Sequence, residues 1–386
     1  MIAGIGARRL KNRWIVGVLR PSVVVLAAYI LYVEFVLSLH QYDPTVFIQI
    51  GTIFADRASS VARLVHDIGF GPPFWKAGFD GQFYYYIALD PVNAWELLDT
   101  TARYQRILYP IIVRLLSFGY LPSIPFLMII VNLASIFAGT EFLARLLKWF
   151  HLNSWYSLGY GFHIGQLVCL RKDLPEPLMY AFVIAAIYYA EARGSSRLAG
   201  IMFLLALFTK EPAILFIVAY AFGLLLSSRR RSPHSAALLV AVSVLPYAAY
   251  QLMLLYRFGQ VAFLGVGNLQ TLSMIPFYGV FQVPRPPFEL VSIAVAIVIP
   301  ATLSLAVFFR SVVRGNVEPL LVALLLNALF LVFLPRLSYV DVFTYGRVSL
   351  GLATAWIAHA GFSRNRRMLA YSILWAIPFQ FNHLPG

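Results

Sequence analysis

The sequence predicts an all-α polytopic membrane protein, on three observations: its apolar content, the spacing of its apolar runs and the placement of its basic residues. Of 386 residues, 60% are hydrophobic and 12% charged, whereas soluble domains run near 45–50% and about 25%. The apolar residues gather in long runs parted by short polar breaks. The net charge of +14 is spread over small basic clusters between those runs, as the positive-inside rule predicts, which sets nucleic acid aside as a partner. A single cysteine, Cys169, excludes an internal disulfide framework and speaks against a cysteine-based metal site.

Taken in order, Arg8, Arg9, Lys11 and Arg13 precede an apolar stretch that runs to Leu39 without a clear small-residue cleavage site, so a retained first helix is expected rather than a removed signal. Pro21 to Leu39 is long enough, at 1.5 Å per residue, to cross roughly 30 Å of hydrocarbon. Its basic flank places the N-terminus in the cytoplasm and delivers residues 39–106 to the outer face as a large first loop. That loop collects Asp43, Asp56, Asp67, Asp80, Asp90, Glu96 and Asp99, seven of the sixteen acids. Within it, Pro44 to Val65 reads as a short surface helix, Gly71-Pro72-Pro73 as a break, and Phe83 to Leu89 as the start of another short helix. Ile107 to Phe118, interrupted by Pro110 and Arg114, is expected to be a surface or tilted helix.

Further apolar segments lie at about 124–146, 154–170, 177–192, 197–209, 212–227, 236–256, 289–309, 319–335, 345–361 and 368–383. Threaded alternately they give about eleven spans, within a range of roughly 10 to 13, some shorter than the usual ~20 residues as happens around a cavity. The threading puts 17 of the 30 Lys and Arg on the N-terminal side, including Arg145, Lys148, Arg193, Arg197, Arg229–Arg231, Arg310, Arg314, Arg364, Arg366 and Arg367. With no internal repeat and no soluble segment, residues 1–386 read as one membrane domain. The expected location is the bacterial inner membrane, with the working face outside the cytoplasm.

On that outer face the threading assembles charged clusters that are costly at membrane depth and usually mark a substrate path. These are Asp80-Gly81-Gln82-Phe83-Tyr84-Tyr85, Arg103 with Arg106, Asp173-Leu174-Pro175-Glu176, Lys210-Glu211 and Arg347. Carboxylates near a low-dielectric boundary are expected to have raised proton affinity, which suits a general base toward an alcohol. Neighbouring Arg and Lys suit the binding and release of a phosphate. Each group also has a plainer reading. Asp80-Gly81 is a common turn dipeptide, the tyrosines fit an interfacial aromatic belt, Lys210-Glu211 fits an ion pair closing a helix, Asp173 and Glu176 fit helix caps, and the arginines fit interfacial anchors.

The run Asp80 to Tyr85 followed by Ile87-Ala88, then Arg106-Ile107-Leu108-Tyr109-Pro110, Asp173-Leu174-Pro175-Glu176 and Lys210-Glu211, resembles the GT-C superfamily of membrane glycosyltransferases. It looks most like bacterial relatives of the mannosyltransferases that use polyprenyl- or dolichyl-phosphate mannose, including those that build glycosylphosphatidylinositol anchors. The resemblance covers residues 1 to about 230 by the order of its motifs; beyond that it extends only to a helical bundle with Arg347 near its outer end. It implies a GT-C-type bundle, a polyprenyl-phosphate-linked hexose as donor with mannose the expected sugar, a glycan, lipid or protein acceptor, and inversion by direct displacement. It also implies a loop aspartate as base: Asp80, with Asp43 as rival. Gln82, Tyr84, Tyr85, Arg103, Arg106, Asp173, Glu176, Lys210, Glu211 and Arg347 are the expected substrate-binding residues. No cofactor is expected, although Asp43, Asp80 and Glu176 together offer a set able to hold a divalent metal. Two other readings use the same cavity without chemistry, a lipid-linked-sugar flippase and an idle GT-C-like subunit that binds lipid or a partner protein.

Overall fold

Long apolar runs in this chain fold as helices because only a helix satisfies every backbone N–H and C=O within one segment. The computed structural model describes residues 20–55, 78–226, 232–260, 273–282 and 285–376. Among them there is no strand, only an isolated bridge between Ile50 and Gly78. The helices of seven residues or more are α1 (Pro21–Leu39), α2 (Gly81–Leu89), α3 (Leu108–Leu116), α4 (Ile124–Trp149), α5 (Ile164–Arg171), α6 (Glu176–Arg193), α7 (Ser196–Thr209), α8 (Ile214–Leu226), α9 (Pro233–Phe258), α10 (Pro287–Val313), α11 (Pro319–Val332), α12 (Val342–Phe362) and α13 (Arg366–Ser372).

Among the described residues four helices are long and apolar enough to cross a membrane: Pro21–Leu39, Leu121–Trp149, Pro233–Phe258 and Pro287–Val313. The shorter apolar helices Ser196–Thr209, Glu211–Leu226 and Pro319–Val332 accompany them. On α1, Ile30, Leu31, Phe35 and Leu39 face outward, as lipid-facing residues would. α12 is the opposite case, with every residue from Ser349 to Gly361 buried. α4 packs against α1 and α6, α6 continues to α7 and α7 to α9, while α8 and α12 flank α11 and α5 lies against α12. The core is one continuous apolar cluster that reaches from α1 to α13.

One of the expected segments differs. Residues 154–170 do not form one span: a turn at Ser154–Ser157 and a short helix at Leu158–Gly161 precede α5. The break falls at His163, whose backbone leaves the helical region and whose Nδ1 accepts the Gly165 N–H at 3.0 Å and caps α5, so the side chain restarts the helix. The segment at 368–383 is helical up to Ala376, where the described residues end. The expected short helices appear as α2 and α3. The expected surface helix from Pro44 is a single turn, Pro44–Phe47, followed by another at Thr52–Ala55. Its continuation to Val65, the Gly71–Pro73 break and the basic groups at Arg8–Arg13 and Arg229–Arg231 fall outside the described residues.

Candidate functional site

Asp80 occupies the N-cap position of α2, yet its carboxylate makes no capping bond. Aspartate at that position ordinarily accepts a hydrogen bond from a first-turn N–H, so the carboxylate here is left for other partners. The chain before it is pinned from behind, where Phe79 N–H donates to Gln49 C=O at 3.1 Å and Gln82 Oε1 accepts the Gly51 N–H at 3.1 Å. Gly81 sits so close to the turn after α5 that a Cβ would stand 2.2 Å from the Lys172 carbonyl oxygen. Only glycine permits that approach.

Two guanidiniums take the Asp80 carboxylate. Arg103 Nη2 lies 3.0 Å from Oδ1 and Arg347 Nη1 lies 3.0 Å from Oδ2. Arg103 comes from the turn Thr101–Arg106 and is held further by Asp99, at 3.0 and 2.8 Å, and by the Phe83 ring, 4.5 Å away. Arg347 comes from α12, the buried helix. Three residues beyond Arg103, Arg106 grips Glu211 through Nε at 2.8 and 3.1 Å and donates to the Tyr84 hydroxyl at 3.2 Å. Lys210, between α7 and the next helical turn, is paired with Glu176 at the start of α6. Sites 34 to 267 residues apart in sequence thus meet at one point.

This cluster forms the polar wall of a cavity of about 1000 Å³, lined on that side by Asp80, Arg106, Glu176, Lys210, Glu211 and Arg347. The other walls are mostly apolar, with Ile214 and Leu215 from α8, Phe330 from α11 and Val348 from α12, and they also carry Arg336, Gln282 and Thr344. At the rim stand Met274, Ile275, Tyr278 and Leu337, all of them exposed. A cavity with a charged floor and a mostly apolar mouth suits an amphipathic ligand with an anionic end.

The expected raised proton affinity of Asp80 is not what the geometry gives. Burial pushes the carboxyl up, but the charges of Arg103, Arg347, Lys210 and Arg106 together outweigh it and hold the group well below the usual carboxylate range. Opposite charges within ion-pair distance favour the ionised form. Sequence reasoning weighed the dielectric and could not count the cations.

Other expected site residues lie elsewhere. Asp43 caps the turn Pro44–Phe47 by accepting the Thr45 N–H at 2.9 Å, and it is not a cavity wall. Gln82 is fully buried behind the site and ties down Gly51. Tyr84 and Tyr85 are buried and belong neither to an exposed belt nor to the cavity wall. Tyr84 instead orients Arg106 and packs edge-on against Tyr109, with centroids 5.8 Å apart. Asp173 is wholly buried with Asn132 Nδ2 3.4 Å from its Oδ1, away from the cavity. Among the described residues no group of three or more His, Cys, Asp or Glu side chains is placed to hold a metal ion, so Asp43, Asp80 and Glu176 do not come together as a set.

Gln105 was missed. It is almost fully buried, it lines the cavity, and its Oε1 has no hydrogen-bond partner. Its position between Arg103 and Arg106 was the available signal, but an uncharged amide in a polar loop does not stand out.

The fold and site together define an all-helical protein that has apolar helices of membrane-crossing length and a charge-floored cavity lined by its other helices and turns. Comparison with family models, with curated proteins and with solved structures finds no match.

Proposed function

We propose that the chain is an integral membrane glycosyltransferase of GT-C type that moves a hexose, with mannose the expected sugar, from a polyprenyl phosphate carrier to an acceptor hydroxyl outside the cytoplasm. The observation that carries this reading is the convergence of Asp80, Arg106, Glu176, Lys210 and Arg347 on one cavity whose remaining lining is mostly apolar. A lipid-linked phosphodiester sugar has the matching parts: an apolar tail, an anionic phosphate and a polar sugar.

In the proposed step the acceptor O–H gives its proton to the Asp80 carboxylate while the acceptor oxygen attacks the anomeric carbon. The bond from that carbon to the phosphate oxygen breaks, the oxygen keeps the electron pair, and the configuration inverts. The charge gathering on the departing lipid phosphate meets Arg347 and Lys210, where preorganised cations lower the barrier most. Gln105 and Glu176 each offer an acceptor oxygen without a partner, Oε1 and Oε2, for sugar hydroxyls. About eleven spans, with the cavity opening on the outer leaflet, complete the proposal.

The test is transfer of labelled mannose from a polyprenyl phosphate carrier by the purified chain. Asp80→Asn is expected to lower turnover by about 10³-fold or more, the range for loss of a general base, in a protein that still folds but unfolds at a lower temperature, because Arg103 and Arg347 lose their shared carboxylate. Full activity in that variant would sink the assignment.

A further inference from the structure

We propose that Arg347 is an exchangeable partner of Asp80, which gives up the carboxylate for the phosphate of an incoming lipid phosphodiester and so releases Asp80 to accept a proton. The proposal rests on the transferase reading above for its purpose, though not for its geometry.

The two arginines on Asp80 are held differently. Arg103 makes two further hydrogen bonds to Asp99 and stacks on Phe83, and it is not part of the cavity wall. Arg347 makes its only hydrogen bond and ion pair among the described residues with Asp80, and it lines the cavity. Its side chain is 25% exposed against 10% for Arg103. Arg336 also lines the cavity, exposed beside Leu337 and away from Asp80. On the floor the other cations are engaged by their own carboxylates, Arg106 twice by Glu211 and Lys210 by Glu176. An anion that reaches the floor therefore meets one cation held by a single hydrogen-bonded contact, and that cation is Arg347.

The charges facing Asp80 come from every side. Arg103 and Arg106 approach from the turn Thr101–Arg106, Lys210 from the end of α7, Arg347 from α12, and the Tyr84 hydroxyl from α2. Asp99, Glu176 and Glu211 share those same cations. Four cations thus stand against four carboxylates, and the cluster is balanced while empty. A phosphodiester adds one negative charge that nothing in the resting cluster offsets. If Arg347 turns to the phosphate, whose oxygens accept stronger charge-assisted bonds, Asp80 keeps Arg103 and loses half of its direct neutralisation. Its affinity for a proton then rises when the acceptor hydroxyl needs a base. The acceptor's proton ends on Asp80, and the leaving lipid phosphate, now doubly charged, retains Arg347. Arg103 acts as the positioning residue that keeps the carboxylate aimed throughout.

The test uses the full chain in lipid nanodiscs and dodecyl methyl phosphate, a phosphodiester that carries one charge and does not itself titrate near neutral pH, with empty nanodiscs as control. Asp80→Asn removes the competitor for Arg347 and is expected to bind the probe about tenfold more tightly, roughly the worth of one charge-assisted bond. Arg347→Gln is expected to bind it about tenfold more weakly, and the double variant no more tightly than Arg347→Gln alone, because the two effects share one partner. Unchanged or weaker binding by Asp80→Asn, or additive effects in the double variant, would overturn the exchange. As a check that needs no variant, wild-type titrations near pH 5 in two buffers of different ionisation enthalpy should reveal proton uptake on binding; no uptake would also overturn it. Mannose transfer is measured separately. Tightened binding by Asp80→Asn together with no transfer by the wild type would sink the transferase reading and leave the exchange standing. Transfer without that tightening would sink the exchange alone.

Discussion

Asp80 shows what one carboxylate's surroundings can do to its chemistry. In a turn it would be an ordinary cap; here the cap is unused and two arginines hold the group, so it stays ionised below the usual carboxylate range. The sign of the pH dependence follows. A carboxyl with lowered folded pKa keeps its charge until the pH falls through that lowered value, while the stability it contributes is lost progressively as the pH falls from the ordinary carboxylate range to that value. The acid limb of kcat/KM, which reports the free enzyme, is expected below the ordinary carboxylate range. Arg347→Gln removes one of the two direct cations and is expected to move that limb upward. A limb that stays in place, read from pH–rate profiles of mannose transfer, would mean that Asp80 does not control it. Sequence reading singled out Asp80 by its company of Gln82 and tyrosines, but the neighbours that matter are Arg103 and Arg347. Those lie 23 and 267 residues away, and no local pattern announces them.

At the scale of elements, the contact between the start of α2 and the turn at Lys172 decides where Asp80 points. Gly81 touches the Lys172 carbonyl so closely that any Cβ must push one of them aside. Gly81→Ala is expected to cost about 1–3 kcal/mol of stability, typical of overpacking, and to lower transfer by more than that loss explains, because Asp80 moves with the helix. Thermal unfolding and turnover measured side by side check it; normal values for both would mean that the contact yields. The existence of α2 and α3 was legible from their short apolar runs, α2 behind the Asp80-Gly81 turn signal and α3 despite the interruption at Pro110. The break at His163 was not, because hydropathy averages over residues 154–170 and cannot register a single side chain that caps the next helix.

For the whole molecule, the distribution of charge makes a testable statement about orientation. The positive-inside reading puts Arg193 to Arg197 in the cytoplasm and the Asp90 to Asp99 segment outside. The sole native cysteine, Cys169, is fully buried and should label poorly. A cysteine placed at exposed Gly194 is therefore expected to react with a membrane-impermeant maleimide only after the membrane is opened, and one placed at exposed Val92 in intact cells. The reverse pattern would turn the molecule over and put the cavity on the cytoplasmic side.

By itself the sequence determined that the chain is helical, apolar and built for a membrane, because those properties follow from composition and the length of apolar runs. It also named Asp80, Arg106, Glu176, Lys210, Glu211 and Arg347, since charges are conspicuous in so greasy a chain. Tertiary structure alone decided which of the charged groups share a cavity, that Asp43 and Asp173 stand apart from it, and which cation answers which carboxylate. The reason is physical: the cost of a buried charge is set by the nearest opposite charge in space, and in this fold that partner comes from a distant helix.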